Sequence, residues 1–205
     1  MTQPIPQKKI ALVLSGGGAR GAYEAGIIHY IRTQLPPHIS RQRPFDILSG
    51  SSIGAITTCF MAATSHNLEY QGKKIFDLWN GLDQSDIYRR GMGTFTRFIF
   101  RSTTGIVRNF FRSQDNSLLA RQRRLHFKGL LDTSPFPHFL GRLIPWNQIS
   151  INIQNGITKA LVVTATNVHT GKVEFFIQKH SSMIYSGRHQ AHYTNIETKH
   201  ALASA

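Results

Sequence analysis

The sequence predicts an α/β fold with a mainly parallel central sheet flanked by helices. Two successive units predict it, because each consists of a short apolar strand, a turn that contains glycine, and a helix. A later pair of strand-like segments joined by a tight turn adds a hairpin to the sheet. With 205 residues, 40% of them hydrophobic, the chain is long enough for one domain with a sizeable core.

The first unit starts with the apolar run 10–14, which predicts a buried strand. The strand stops at three glycines, residues 16–18, which we call the glycine loop. A helix is predicted over residues 21–35, ended by two prolines. Its apolar positions recur at helical spacing and are Tyr23, Ile27, Ile28 and Ile31.

The second unit has a strand over residues 45–48, the turn Gly50-Ser-Ser-Ile-Gly54, which we call the serine turn, and an apolar helix over 55–63. A further helix is predicted over 68–79, with Asn67 as its cap. The later predictions are a helix start at 131–135, a hairpin of strands 160–168 and 173–177 around the turn 169–172, and the opening of a helix in 194–205.

Charge and composition restrict the partners and the location. The net charge of +14 and a pI near 10.5 predict attraction to polyanions. The single cysteine, Cys59, excludes an internal disulfide and is expected to be a small buried apolar residue. We find no signal peptide and no stretch of eighteen apolar residues, so we expect a cytoplasmic protein that meets lipid, if at all, from the membrane surface.

The glycine loop lies between a strand and a helix, within Gly16-Gly-Gly-Ala-Arg-Gly21. Its backbone N–H groups can approach a ligand closely, and the following helix adds a positive dipole end, which suits a phosphate or a developing oxyanion equally. The G-x-G-x-x-G spacing also fits a dinucleotide site, but residues 34–44 contain no acid to hold a ribose. A P-loop is disfavoured because no Gly-Lys-Ser/Thr follows.

The serine turn places Ser52 at the centre of a G-x-S-x-G motif, with Gly50 and Gly54 on either side. A strand before it and a helix after it are the context of a nucleophile elbow, although an ordinary Gly/Ser turn that caps a helix has the same composition. Both turns follow adjacent parallel strands, so we expect them at the same edge of the sheet. Together they predict an acyl-transfer site with an oxyanion loop and a nucleophile.

Gly16-Gly-Gly-Ala-Arg-Gly21 and Phe45-Asp-Ile-Leu-Ser-Gly-Ser-Ser-Ile-Gly-Ala55 resemble the patatin-like phospholipase domain, and Leu131-Asp-Thr-Ser-Pro135 and the hairpin are similar to its bacterial members. The resemblance implies a three-layer fold and a lipid or phospholipid substrate, with no metal and no cofactor. By the same resemblance, Ser52 is the nucleophile and Gly16, Gly17 and Gly18 form the oxyanion loop with Gly21 after them. Arg20 stabilises that loop or meets the lipid phosphate.

The family uses a Ser–Asp dyad, with the Asp in an Asp-Gly-Gly or Asp-Gly-Ala motif, and this sequence has no Asp-Gly pair. We therefore expect a partial patatin-like domain over residues 1–205 that stops before the catalytic Asp and is weak or inactive alone. A serine hydroxyl needs a base. Asp46 is expected to serve packing or a loop hydrogen bond, and the histidines at 180, 189, 192 and 200 are the other candidates. The alternative function is a non-catalytic, membrane-associated protein or remnant of this family.

An insertion is predicted at about residues 84–130, which hold ten of the 24 Lys and Arg residues and only two acids, Asp86 and Asp115. Within it, segment 88–128 interleaves arginines with phenylalanines. Such a segment suits an anionic membrane surface, RNA, or a solvated insertion whose phenylalanines pack on the domain. The resemblance to lipid hydrolases favours the membrane over nucleic acid.

Overall fold

The computed structural model describes residues 9–36, 38, 44–80, 135–184, 187 and 191–205. The first elements are β1 (Ala11–Leu14), α1 (Arg20–Thr33), β2 (Ile47–Ser51), α2 (Ile53–Thr64) and α3 (Leu68–Asn80). They are followed by α4 (Pro135–Leu143), α5 (Trp146–Gln154), β3 (Ala160–Thr166), β4 (Val173–Lys179), β5 (Ala191–Tyr193) and α6 (Thr198–Ser204).

The five strands form one sheet in the order β1-β2-β3-β4-β5. β1 pairs with β2 and β2 with β3 in parallel, so the carboxyl ends of all three strands lie at one edge. β4 is antiparallel to β3, and β5 is parallel to β4. The predicted α/β class, with a mainly parallel sheet flanked by helices, is confirmed.

The core lies between the sheet and α2, because α2 is buried along its length from Gly54 to Thr64. Leu48 and Leu161, which are in register on neighbouring strands, are 1% and 0% exposed. Cys59 is fully buried on α2, which confirms its expected position. Burial also raises the pKa of its thiol, because the charged thiolate would lose its hydration there.

Helix α1 forms where predicted, but the apolar residues whose spacing predicted it do not form a buried face. Tyr23 is 74% and Ile27 42% exposed, and of the four residues only Ile28 is buried. The reason is that α1 packs against α3 through polar contacts. The imidazole Nδ1–H of His29 donates to the carbonyl of Gly72 at 2.7 Å, and Arg32 Nε–H donates to the side chain of Gln71 at 2.9 Å.

The expectation that the first strand is buried is also wrong. Val13 is 73% exposed and Ile10 44%, whereas Leu14 is 7% exposed. Among the described strands, β1 has one neighbour, β2, and therefore lies at the edge of the sheet. Within β1, only the last residue, Leu14, is buried.

The predicted hairpin is confirmed, with pairing from Ala160↔Lys179 to Thr166↔Val173. Asn167 closes its turn: its N–H donates to the carbonyl of Lys172 at 2.9 Å, and its side-chain oxygen accepts from the N–H of His169 at 2.9 Å. Gly171, at φ 68°, supplies the left-handed conformation that this turn needs. β5, only three residues long, was not predicted.

The chain divides into two compact units, one of Met1–Leu82 with Leu140–Ala205 and one of Asp83–Phe139. The predicted insertion 84–130, its segment 88–128 and residues 131–134 of the predicted helix start 131–135 lie outside the described residues, so the insertion stays a prediction. Helix α4 begins at Pro135, the last residue of that predicted start. None of the described helices has the length and apolar character that crossing a bilayer requires.

Candidate active site

Ser52 lies between β2 and α2, at the carboxyl edge of the parallel strands, with φ 52° and ψ −125°. Among the described residues it is the one non-glycine residue with positive φ. A serine that simply caps a helix takes the β region of φ and ψ and bonds its hydroxyl to the helix amides. Ser52 does neither, since its side chain makes no capping bond to α2. The geometry therefore favours the strained elbow over the ordinary capping turn.

The glycines of the serine turn are required by close packing of backbone. A Cβ added to Gly50 would lie 2.3 Å from the carbonyl oxygen of Gly54, and one added to Gly54 would lie 2.5 Å from the carbonyl oxygen of Leu14. The turn thus folds tightly on itself and against the end of β1. This packing explains why both positions flanking Ser52 lack a side chain.

The glycine loop lies directly against the serine turn. A Cβ added to Gly16 would lie 3.0 Å from Ser52 Cβ and 3.7 Å from Ser52 Oγ. Gly18 has φ 56°, in the left-handed region that glycine adopts without strain. The predicted juxtaposition of the two turns is therefore present in the structure.

The backbone amides of Gly16, Gly17 and Gly18 have no hydrogen-bond acceptor within the part of the chain that the structure describes. The amides of Arg20 and Gly21 are occupied, because they donate to the carbonyls of Gly17 and Gly18 at 3.2 and 3.0 Å. Three adjacent free amides at the start of α1 form a place where a negative oxygen can be held.

Arg20 and Gly21 belong to the first turn of α1 rather than to the loop. The exposed Arg20 side chain folds over Gly17, with its Cδ 2.9 Å from the position of a Cβ there. Gly21 is a packing position, because a Cβ on it would lie 2.4 Å from the Trp79 ring and 2.8 Å from Ile53 Cγ1. The contact with Trp79 was not predicted, and nothing in the sequence indicates it.

Glu24 on α1 interacts with Ser15, the residue that leads into the glycine loop. Burial raises the pKa of the Glu24 carboxyl, and hydrogen bonds with the backbone and hydroxyl of Ser15 partly oppose the rise. Within the described residues, the Oε2 atom of Glu24 is buried and has no hydrogen-bond partner. The carboxyl beside the loop is therefore easier to protonate than that of an exposed glutamate.

The described histidines of the expected cluster are engaged elsewhere. His200 Nδ1 accepts from the N–H of Glu197 at 3.0 Å, His192 Nε2 lies 3.1 Å from Glu174, and His180 bonds to the hydroxyl of Ser182 at 2.7 Å. Burial lowers the pKa of His200, and its ring packs on Phe176. His189 lies outside the described residues.

Asp46 fulfils the structural role expected of it. It is 7% exposed at the start of β2, where its carboxylate accepts from the N–H of Ile10 at 2.8 Å. No histidine or carboxylate is hydrogen-bonded to Ser52 Oγ in the described residues. The same residues contain no cluster of three or more His, Cys, Asp or Glu that could hold a metal ion.

A third partner of the serine turn was not predicted. The hydroxyl of Ser204, on α6, accepts from the N–H of Ser52 at 2.8 Å and donates to the carbonyl of Thr164 at 2.5 Å. Ser204 is separated from Ser52 by 152 positions, and no sequence motif joins them.

A family model described as Patatin-like phospholipase matches residues 12–183, which include the glycine loop, the serine turn and the hairpin. No curated protein and no solved structure gives a match to the chain.

Proposed function

The chain belongs to the patatin-like phospholipase family, and from this premise we propose that it hydrolyses carboxylic ester bonds in lipids with Ser52 as the nucleophile. Membership confirms the resemblance noted in the sequence and supports lipid acyl hydrolase activity. The observation that carries the residue assignment is the strained backbone of Ser52 beside the free amides of the glycine loop.

In the proposed reaction, Ser52 Oγ attacks the acyl carbonyl of the lipid, and its proton passes to a base. The amides of Gly16, Gly17 and Gly18 donate to the oxyanion that forms, and the positive ends of α1 and α2 favour its charge. Arg20, exposed next to the loop, contacts a lipid phosphate. Collapse of the intermediate releases the alcohol and leaves an acyl-enzyme, which water hydrolyses to free Ser52 and a fatty acid.

For the base we propose an Asp that these 205 residues do not contain, in keeping with the Ser–Asp dyad that the resemblance implies. Two observations support this proposal. The sequence has no Asp-Gly pair, and the carboxylate of Asp46 is hydrogen-bonded to the N–H of Ile10 at the end of β2 that is farther from Ser52. On this proposal, the 205 residues alone turn over ester slowly, because no carboxylate or imidazole of the described residues is placed to accept the hydroxyl proton.

Labelling with a fluorophosphonate tests the proposal, because the amides of the glycine loop can stabilise the phosphonyl oxygen even without the base, so Ser52 should react slowly but selectively and no turnover is needed. We expect an adduct that is lost in Ser52→Ala and kept in Ser51→Ala, which removes the adjacent exposed hydroxyl. Adduct formation that survives Ser52→Ala would contradict the assignment. Absence of any adduct would favour a non-catalytic, membrane-associated member of the family.

We also propose that the basic segment 88–128 contacts anionic membrane surfaces, because its arginines suit lipid headgroups and its aromatic rings suit the interface. Binding to vesicles that contain anionic lipid should weaken as salt increases, and neutral vesicles should bind poorly. Indifference to vesicles together with salt-sensitive RNA binding would overturn this part of the proposal.

A further inference from the structure

Ser204 joins three parts of the molecule at one point. Its hydroxyl accepts from the N–H of Ser52 at 2.8 Å and donates to the carbonyl of Thr164 at 2.5 Å. It thereby connects α6, the carboxyl end of β3 and the serine turn.

The chemistry of these groups fixes the direction of both bonds. A carbonyl oxygen only accepts, so the single hydroxyl proton of Ser204 is used on Thr164, and its oxygen accepts from Ser52. The amide of Ser52 is therefore occupied and is not available to an acyl oxygen. It holds the turn, while the amides of the glycine loop remain for the oxyanion.

The held amide lies at the strained dihedral angle. Ser52 has φ 52°, and relaxation to negative φ would require rotation about its N–Cα bond, which would carry Cβ and Oγ away from Gly16. The carbonyl side of Ser52 is held by α2, because the N–H of Ala55 donates to the Ser52 carbonyl at 2.9 Å. The change in φ therefore also has to turn the preceding peptide plane, and the hydrogen bond of the Ser52 N–H opposes that turn. Thr164 is itself tied to the same turn, because it pairs with Ser51 and its hydroxyl donates to the carbonyl of Gly50 at 3.2 Å.

Ser204 is presented by a firmly docked helix. Two residues one turn before it, His200 and Ala201, are 7% and 0% exposed. The approach to the helix is fixed as well, since the N–H of Ile196 donates to the side chain of Gln178 at 2.8 Å. The hydroxyl of Ser204 therefore reaches the serine turn from a support that lies outside both glycine motifs.

We propose that Ser204 is a positioning residue that holds the backbone of Ser52 in its reactive conformation. The inference rests on the proposed function in one respect, that Ser52 is the reacting group. Ser204 does not touch substrate in this account. Its effect is on the rate at which Ser52 reacts and not on binding of the acyl chain.

The test compares the rate of fluorophosphonate labelling at Ser52 in the whole chain, in Ser204→Ala and in Ser150→Ala. Ser150 is a matched control, because its hydroxyl also accepts a bond across the fold, from Gln178 at 2.8 Å, away from the serine turn. We expect labelling to slow about 10-fold or more in Ser204→Ala, since small displacements of a reacting group have large effects on rate. The Ser150→Ala rate should be unchanged, and Ser204→Thr, which keeps the hydroxyl, should recover the rate.

Hydrogen exchange of the Ser52 amide gives a second reading that does not depend on reactivity. We expect faster exchange in Ser204→Ala and wild-type exchange in Ser150→Ala and Ser204→Thr. Should Ser204→Ala fail to fold, Ser204→Cys, whose thiol is a weaker hydrogen-bonding group, must show the same slowing and faster exchange.

The outcomes separate this inference from the proposed function. Labelling of Ser52 at equal rates in wild type and Ser204→Ala, with unchanged exchange, would overturn the positioning role and leave the nucleophile in place. If wild type is not labelled at Ser52, the proposed function fails. The exchange of the Ser52 amide then decides alone whether Ser204 holds the turn.

Discussion

Replacement of Ser52 by glycine should stabilise the protein relative to replacement by alanine, although both remove the hydroxyl. Ser52 has φ 52° and ψ −125°. Such a conformation costs a non-glycine residue about 1–3 kcal/mol. Alanine keeps that strain and glycine relieves it.

The strain relief is partly offset, because glycine is more flexible in the unfolded chain by about 0.4–1 kcal/mol. The net expectation is that Ser52→Gly is more stable than Ser52→Ala by about 1 kcal/mol. For a chain of this size, that difference raises Tm by about 2–4 °C. Urea or thermal unfolding of the two variants, followed by circular dichroism, measures it.

Ser182 supplies the matched control, because it is an exposed loop serine without positive φ. There the order should reverse, with Ser182→Gly less stable than Ser182→Ala by up to about 1 kcal/mol. A Ser52→Gly variant that is no more stable than Ser52→Ala, while the Ser182 pair behaves as expected, would refute the claim that the backbone of Ser52 is strained.

Three further changes test the packing and charge of the site. Gly54→Ala places a Cβ 2.5 and 2.8 Å from backbone carbonyls at the end of β1, so stability should fall by about 1–3 kcal/mol. Gly26→Ala, with no atom within 4 Å of the new methyl, should instead raise the free energy of unfolding by about 1 kcal/mol. Equal changes in the free energy of urea unfolding for the two variants would contradict the close packing at Gly54. Gly16→Ala, whose methyl would lie 3.0 Å from Ser52 Cβ, should slow fluorophosphonate labelling by about 10-fold or more, and an unchanged rate would place the loop farther from the nucleophile. The pKa of the Glu24 carboxyl is raised in the folded state, so the folded protein binds this proton more tightly than the unfolded chain, and its stability should fall as the pH rises above 4.5. The Glu24→Gln variant cannot titrate at this position and should not show that fall. Curves of stability against pH that run parallel for wild type and Glu24→Gln would contradict the prediction.

Much of the fold follows from local patterns in the sequence. The strand, glycine turn and helix units placed β1, α1, β2 and α2 in order, and the spacing of apolar residues around the turn 169–172 predicted the β3–β4 hairpin. These signals are local, since a turn needs glycine at particular positions and a strand ends where such a turn begins. The same locality brought the two turns together, because parallel neighbours end at one edge.

Features that depend on distant contacts were missed or misjudged. The apolar spacing in α1 predicted the helix but not how it packs, which is through His29 and Arg32 on the backbone and side chains of α3. Arg32 is 4% exposed, and burial lowers its pKa to about 10. Ser204 could not be found from the sequence, because a lone serine on a short helix carries no sign of a partner 152 positions away.

The most direct test of the central claim is a crystal structure of the chain after reaction with a fluorophosphonate. We expect phosphorus bonded to Ser52 Oγ and the phosphonyl oxygen within about 3 Å of amides in the glycine loop, residues 16–18. An adduct on another residue, or a phosphonyl oxygen directed away from those amides, would contradict the claim.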